Sequence, residues 1–343
     1  MEQLVGSELK LMIGAGACLL ENNKEVINAM NTFPVPDGDT GTNMSLTMRS
    51  ALAEIVKVSE DTVSSIATAL AAGSLLGARG NSGVILSQIF RGFARGLEGK
   101  NQVTPREFAV AMQSGVQAAY KAVMKPVEGT MLTIARESAN AATASASRGS
   151  DLIELMQDVV EHAEAVLKKT PEMLPVLKEA GVVDAGGRGL IDIYRGFLLQ
   201  LLGEEVPDAV IVVDEPRPLR PQDVFHAEDI VYGYCTELMI RGEGLDPDSI
   251  RDEISVLGDS VLAVGDSQLV KIHIHTNNPG QLMEQCIVHG TLHNIKVDNM
   301  REQHADLLAL QEQTPQNIDG MAVVAVSAGD GLAKIFTSLG VAK

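Results

Sequence analysis

The segment Phe33-Pro34-Val35-Pro36-Asp37-Gly38-Asp39-Thr40-Gly41-Thr42-Asn43-Met44 holds more potential chemistry than any other stretch of this chain. Two carboxylates two residues apart, in a loop bracketed by prolines and glycines, can aim hard oxygen ligands at one point, which is what Mg²⁺ demands. Pro34 and Pro36 restrict the backbone upstream, while Gly38 and Gly41 permit turn conformations closed to other residues. A helical run follows at once. The amides of Thr40 to Asn43 therefore fall at a helix N-terminus, where free N–H groups and the helix dipole favour an anion. Metal ligands beside an anion cradle suggest a nucleotide. Asp-Gly-Asp alone would fit an ordinary capped helix after an acidic turn; the full string makes that bland reading weaker.

A second loop, Gly77-Ala78-Arg79-Gly80-Asn81-Ser82-Gly83, also opens a helix and offers amides and the Ser82 hydroxyl to phosphate oxygens. Arg79 is its cation, facing either developing negative charge or solvent. Two more glycine turns follow, at Glu128-Gly129-Thr130-Met131-Leu132-Thr133 and Asp184-Ala185-Gly186-Gly187-Arg188-Gly189. No Walker P-loop is present, and no Gly-x-Gly-x-x-Gly follows a strand in a βαβ unit, which disfavours those two nucleotide folds.

The third constellation lies late in the chain. In Val270-Lys271-Ile272-His273-Ile274-His275 the strand period places residues 270, 272 and 274 on one face and both histidines on the other. In an earlier strand Tyr232, Tyr234, Leu238 and Ile240 share the core phase, so Cys235 and Glu237 face the opposite way. If these strands are neighbours, one thiolate and two imidazoles meet on an open sheet face. That set suits Zn²⁺, with Glu237, His293 or water in fourth place; polar surface is the competing reading.

These residues need elements to position them. From residue 1 to about 203, apolar residues recur at helical spacing. The spacing predicts helices near 5–30, 43–57, 61–76, 82–97, 105–124, 129–145, 151–169, 172–179 and 187–202, with the glycine loops gathered at one end. Residues 204–221 turn acidic and proline-rich around Val210-Ile211-Val212-Val213 and read as a linker that could carry a short strand. The next section, 222–315, predicts a strand at 229–241, a helix at 246–256, strands at 259–265 and 268–276, a helix at 279–289, a strand at 291–298 and a helix at 299–312. That is the β-α-β-β-α-β order of a ferredoxin-like α+β domain. Residues 320–343 read as the first βα unit of an incomplete further domain.

Bulk composition sets limits. The 343 residues are 45% hydrophobic, carry a net charge of −18 and contain no Trp. With no compensating basic tract, that charge argues against general nucleic-acid binding. Three cysteines fit a reducing cytoplasm better than a disulfide framework, and Cys18 and Cys286 read as buried packing thiols. The Met-Glu-Gln start lacks a secretory pattern. No apolar run reaches the roughly 18 residues of a membrane span, so membrane insertion is not expected.

Taken in order, the motifs at Asp37–Met44, Gly77–Gly83, Gly129–Leu132 and Asp184–Gly187 resemble the ATP-binding L-subunit domain of dihydroxyacetone kinases. More closely, the chain resembles the catalytic subunit of bacterial fatty acid kinase, the FakA type, and does so over essentially its whole length. The resemblance implies a multidomain protein with an all-α, eight-helix antiparallel barrel holding ATP and Mg²⁺ at one end. It implies Asp37 and Asp39 as Mg²⁺ ligands, Thr40, Gly41, Thr42, Asn43 and Met44 around phosphate and ribose, and Asn81, Ser82 and Gly83 at the phosphates. Thr130, Met131, Asp184 and Gly186 would complete the nucleotide pocket, and Cys235, His273 and His275 would hold zinc in the middle domain. Two positions depart from the dihydroxyacetone kinase pattern. Thr32 stands where a third carboxylate is expected, with Asn31 as a weak substitute, and Pro171 stands where an arginine is expected. The function implied is ATP-dependent phosphorylation of a fatty acid on a separate lipid-binding carrier protein, giving acyl phosphate, with a homodimer as the expected assembly. A small polyol or ketone kinase and a non-catalytic nucleotide-binding scaffold are the alternatives. His162, within a polar helix, is expected on the surface.

Overall fold

The computed structural model describes residues 1–206 and 230–303. A two-residue strand, β1 (Leu4–Val5), leads into α1 (Gly6–Ala29), α2 (Thr40–Ile55), α3 (Val63–Gly77) and α4 (Gly80–Gly96). A second short strand, β2 (Gln102–Val103), pairs antiparallel with β1. Then come α5 (Pro105–Ala122), α6 (Met131–Ser147), α7 (Leu152–Leu167), α8 (Thr170–Met173), α9 (Pro175–Ala180) and α10 (Ala185–Leu202). Several starts are written in the sequence as reciprocal caps: Thr62 with Ser65, Thr104 with Glu107, and Asp151 with Glu154. The helix expected at 172–179 is two short ones instead. Pro175 disfavours helical backbone at the residue before it, and Leu174 is extended, at φ −123° and ψ 105°.

Each long helix packs on the next, and α10 packs back on α1. A Cβ on Gly196 would lie 2.4 Å from the Gly16 Cα, so glycine at this crossing lets the two backbones approach. The interior is filled by Leu, Ile, Met and Ala, with Phe93 and Phe108 edge to face at 5.3 Å. Cys18, expected to be buried, is exposed on α1; Cys286 is buried as expected.

The second section runs β3 (Tyr234–Arg241), α11 (Pro247–Ile254), a short 3-10 turn at Ser255–Leu257, β4 (Gly258–Gly265), β5 (Leu269–Thr276), α12 (Pro279–Cys286) and β6 (Thr291–Asn299). The sheet is antiparallel in the order β4-β5-β3-β6. β3 starts at Tyr234, five residues later than the pattern predicted. One face buries Leu238, Ile240, Val270, Ile272 and Ile274 with Ile250, Ile254 and Leu282 from the two helices.

The opposite face is not open, contrary to the sequence expectation. Leu262 and Val264 of β4 also point that way and pack against Ala78, Val84 and Ala122 of the helical section. An apolar second face must be covered, and the covering helices bury both histidines: His273 is 1% exposed and His275 5%. Most of the 204–221 linker with the short strand expected at Val210–Val213, the later part of the helix expected at 299–312 and the unit expected at 320–343 lie outside the described residues. Among the described residues, no helix is long and apolar enough to cross a membrane.

Candidate functional site

α2 begins at Thr40, three residues earlier than predicted, with Asp39 as its N-cap. The Asp39 side chain makes no capping hydrogen bond, so its carboxylate is not consumed by the helix. Asn31 braces the loop: its amide donates to Asp37 Oδ1 and, at 3.2 Å, to the Val35 carbonyl, while its Oδ1 accepts from the Thr40 hydroxyl at 2.5 Å. With both amide ends engaged, Asn31 supports Asp37 and lines the same small cavity as the two carboxylates. Thr32 is buried, its hydroxyl donating to the Met30 carbonyl at 3.2 Å. Burial and the neighbouring Asp39 charge push the Asp37 carboxyl well above the usual range. Two carboxylates in mutual repulsion are relieved by a cation.

Part of the predicted anion cradle is already occupied. The Thr42 amide donates to Asn28 Oδ1 at 3.1 Å, and Thr42 Oγ1 accepts from Asn28 Nδ2 at 3.0 Å. The Asn43 amide makes the first helical bond, to the Asp39 carbonyl. Gly41 is set against α1, where any Cβ would fall 2.2 Å from the Lys24 carbonyl oxygen. Met44 is fully buried in the core beside Gly189 and lines neither cavity of the site.

A cavity of about 370 Å³ opens beside the loop, a size that suits a small-molecule ligand. Thr40, Asn81, Ser82, Thr130, Met131, Asp184 and Gly186 all line it, although they are spread over nearly 150 positions of sequence. Ile85, Val127 and Leu132 provide apolar wall from the helical section. The far wall is the sheet section: β4 bulges between Asp259 and Leu262, with Ser260 at φ +52°, and that bulge faces the cavity. Two predicted residues stand apart. Arg79 is the half-buried N-cap of α4 and lines neither cavity. Gly83 gives its amide to the Arg79 carbonyl, and a Cβ there would lie 2.4 Å from Thr47 Oγ1, so it serves helix packing.

Asp184 caps α10, accepting from the Gly187 amide at 2.6 Å. Burial pushes its carboxyl from 3.8 up to about 7, against hydrogen bonds from the Gly187 and Met131 amides. A raised carboxyl stabilises the fold fully below about pH 4, and this contribution is lost as pH rises through about 7. Asp184→Asn keeps an acceptor but cannot ionise. It is expected to exceed wild type in stability by up to about 4 kcal/mol above pH 7, with the difference vanishing toward pH 4. Urea denaturation across that range checks this; a pH-independent difference would contradict it.

A second cavity, about 30 Å³, joins the two sections. Asp37, Asp39, Asn43, Asn81 and Ser82 line it from the helices, and Cys235, Glu237, His273, His275 and Lys296 from the sheet. Across β3 and β5, Cys235 is in register with His275 and Glu237 with His273. Ligand atoms of Cys235, His273 and His275 lie within 4.8 Å of one another, and the buried His273 Nε2 has no hydrogen-bond partner among the described residues. Burial and the charges of Glu237, Asp37 and Asp39 push the Cys235 thiol well up. A buried thiol among anions, beside an imidazole nitrogen with no protein partner among the described residues, makes a donor set that fits Zn²⁺.

His293 is not brought to this cluster; it is exposed on the edge strand β6, beside Thr291 Oγ1 at 2.9 Å. Glu237 is already bonded elsewhere. Its carboxyl is pushed up by burial, yet the His273 hydrogen bond and the Lys271 charge outweigh that and hold it well below the usual range. The sequence reading missed the buried Lys271–Glu237 pair, 3.0 Å apart, although Lys271 shares the period-2 phase of the histidines. His162 is exposed on α7, as expected.

The comparisons with known proteins agree with this two-part architecture. A DAK2 domain matches residues 34–199, which places the helical section in a kinase-type class. The middle domain of FakA-like fatty acid kinases matches residues 231–307. Together the matches support a FakA-like protein, a DAK2 domain followed by a FakA-like middle domain. The chain is similar to protein YloV of Bacillus subtilis (strain 168), 44% identical over 352 residues, covering 98% of this chain and 64% of that protein. It is also similar to an uncharacterised protein of Staphylococcus aureus (strain USA300), 43% identical over 340 residues, covering 96% of this chain and 62% of that one. The chain therefore spans less than two thirds of the length of these curated relatives. The native-form crystal structure of the dihydroxyacetone kinase of C. freundii aligns with a TM-score of 0.42 at 15% identity, covering 56% of this chain and 34% of that one.

Proposed function

We propose that this chain is the ATP-dependent kinase part of a fatty acid kinase, transferring the γ-phosphoryl group to the carboxylate of a fatty acid held by a separate lipid-binding protein. The observation that carries the reading is the meeting of two cavities at Thr40, Asn81 and Ser82. The larger accommodates a nucleotide, and the smaller brings the Asp37–Asp39 pair to where its phosphates would end. The closed succession of helices supports an eight-helix barrel, and the strand order supports a ferredoxin-like middle domain.

Asp37 and Asp39 would hold Mg²⁺, which neutralises charge on the triphosphate when bound. Thr40, Asn81 and Ser82 would orient the phosphates, while the apolar wall and the β4 bulge exclude water around the base and sugar. Cys235, His273 and His275 would hold Zn²⁺, a fixed cation compensating the thiolate. A fatty acid carboxylate is already ionised at neutral pH, so no side chain need remove a proton from it. Positioning and charge stabilisation carry the rate, consistent with a site rich in carboxylates and hydrogen-bond donors.

The test is transfer of labelled γ-phosphate from ATP, by the full-length protein, to carrier-bound fatty acid compared with free dihydroxyacetone. Label on the fatty acid alone is expected. Label on dihydroxyacetone would assign a polyol or ketone kinase. Nucleotide binding with no transfer to either would assign a scaffold, the reading that Thr32 in place of a third carboxylate favours.

A further inference from the structure

Three groups from two sections of the chain converge on one buried carboxylate. Glu237 is 2% exposed. Its Oε2 accepts from Lys271 Nζ at 3.0 Å, its Oε1 accepts from the Gly80 amide at the head of α4 at 2.6 Å, and His273 Nδ1 lies 3.3 Å from Oε1 and 3.9 Å from the Cys235 Sγ. A carboxylate paired with a buried ammonium can only accept, so His273 Nδ1 carries the proton. That leaves Nε2, the buried nitrogen without a partner among the described residues, with its lone pair free. Glu237 therefore leaves Nε2 as the nitrogen that His273 can offer to a metal, and it also anchors the amide that begins the first turn of α4, Gly80-Asn81-Ser82.

That turn is closely fitted to its surroundings. Gly80 is held at φ +56°, and a Cβ there would lie 2.4 Å from the Asn43 Nδ2. Asn81 and Ser82, the next two residues, line both cavities. A shift of Glu237 is thus felt at the Cys235 cluster on one side and at the first turn of α4 on the other.

We propose that Glu237 is a positioning residue that couples the Cys235–His273–His275 cluster to Asn81 and Ser82 in the first turn of α4, so that metal at the first and nucleoside triphosphate at the second strengthen each other's binding. The proposal rests on the metal and nucleotide readings of these two sites. A metal on Nε2 makes the Nδ1–H a stronger donor, which fixes the Glu237 carboxylate. The fixed carboxylate holds the Gly80 amide and the two side chains that follow it. Linkage makes the effect reciprocal: whatever factor the metal adds to nucleotide affinity, the nucleotide adds to metal affinity.

The experiment titrates a non-hydrolysable ATP analogue with Mg²⁺ into the zinc-loaded chain and into chain freed of zinc by chelation and exchange, reading affinity by calorimetry. Wild type is expected to bind the analogue roughly tenfold more tightly when loaded, within the ordinary range of coupling between sites. In Glu237→Gln that ratio is expected to fall to about one, with zinc still bound in equimolar amount. Cobalt in place of zinc gives a second readout: adding the analogue should shift the visible absorption bands of wild type and leave those of the variant unchanged. If Glu237→Gln alone fails to fold because Lys271 loses its counter-charge, Glu237→Gln combined with Lys271→Met removes the buried pair as a unit and makes the same prediction. Equal affinities in loaded and zinc-free wild type would overturn the coupling, as would a ratio that survives in the variants. Wild type that takes up no zinc, or that binds no analogue in either state, would sink the metal or nucleotide reading and this inference with it.

Discussion

Asp39→Ala is expected to lower Mg²⁺-dependent phosphoryl transfer by on the order of 10³-fold or more, comparable to losing a central electrostatic contact to the transferring group. The substitution removes one of two carboxylates that can hold the metal, and Asn31, a neutral amide engaged at both ends, does not restore the lost charge. The fold is expected to survive. The Asp39 side chain makes no capping bond to α2, and removing its charge relieves Asp37, whose carboxyl burial and Asp39 together push up. Without metal, the variant should therefore unfold at a temperature equal to or above that of wild type. Single-turnover transfer with labelled ATP, set beside thermal unfolding, separates the two effects. Wild-type turnover in the variant would remove Asp39 from the metal site, and a large fall in stability would make lost activity uninformative. The raised Asp37 carboxyl adds a pH signature: Mg²⁺ affinity should weaken in mildly acidic buffer, where an ordinary aspartate is still ionised.

Cys235→Ser is expected to take zinc content from one equivalent to none after dialysis. Losing one of three protein ligands costs roughly 3–5 kcal/mol on the scale of structural zinc sites, on the order of 10³-fold in affinity. Burial and nearby negative charges hold the Cys235 thiol protonated without a cation, so binding zinc must release a proton, and zinc affinity should fall as pH drops. Elemental analysis and competition with a coloured chelator at several pH values measure both. Full zinc occupancy in Cys235→Ser would show that the metal sits elsewhere; no zinc in wild type would reduce the cluster to a buried polar patch.

Much of this site was legible in the sequence, because its parts are local. Asp37-Gly38-Asp39 followed by a helix, and His273 and His275 in strand phase opposite an apolar face, are short-range patterns, and the structure places both as read. What was hidden depends on contact between the two sections. Val261-Leu262-Ala263-Val264 is an unbroken apolar run, which signals a strand covered on both faces, but nothing in it says that α4, α5 and the turn before α4 supply the second cover. That covering brings the Cys235 cluster beside Asp37 and Asp39, and it gives the first amide of α4 to Glu237 instead of to a ligand. Nor does local pattern show that Met44 and Gly83 line neither cavity. Both sit within loop-to-helix motifs, but their positions on the helix turn them into the core, where Met44 meets Gly189 and Gly83 meets Thr47.

Crystals of the full chain grown with a non-hydrolysable ATP analogue and Mg²⁺ give the most direct measurement. Metal density bridging the Asp37 and Asp39 carboxylates to the terminal phosphates is expected, with those phosphates against Thr40, Asn81 and Ser82 and the base within the walls formed by Leu132 and the β4 bulge. Nucleotide and metal seated together anywhere else on the protein, with the Asp37–Asp39 loop empty, would contradict the assignment.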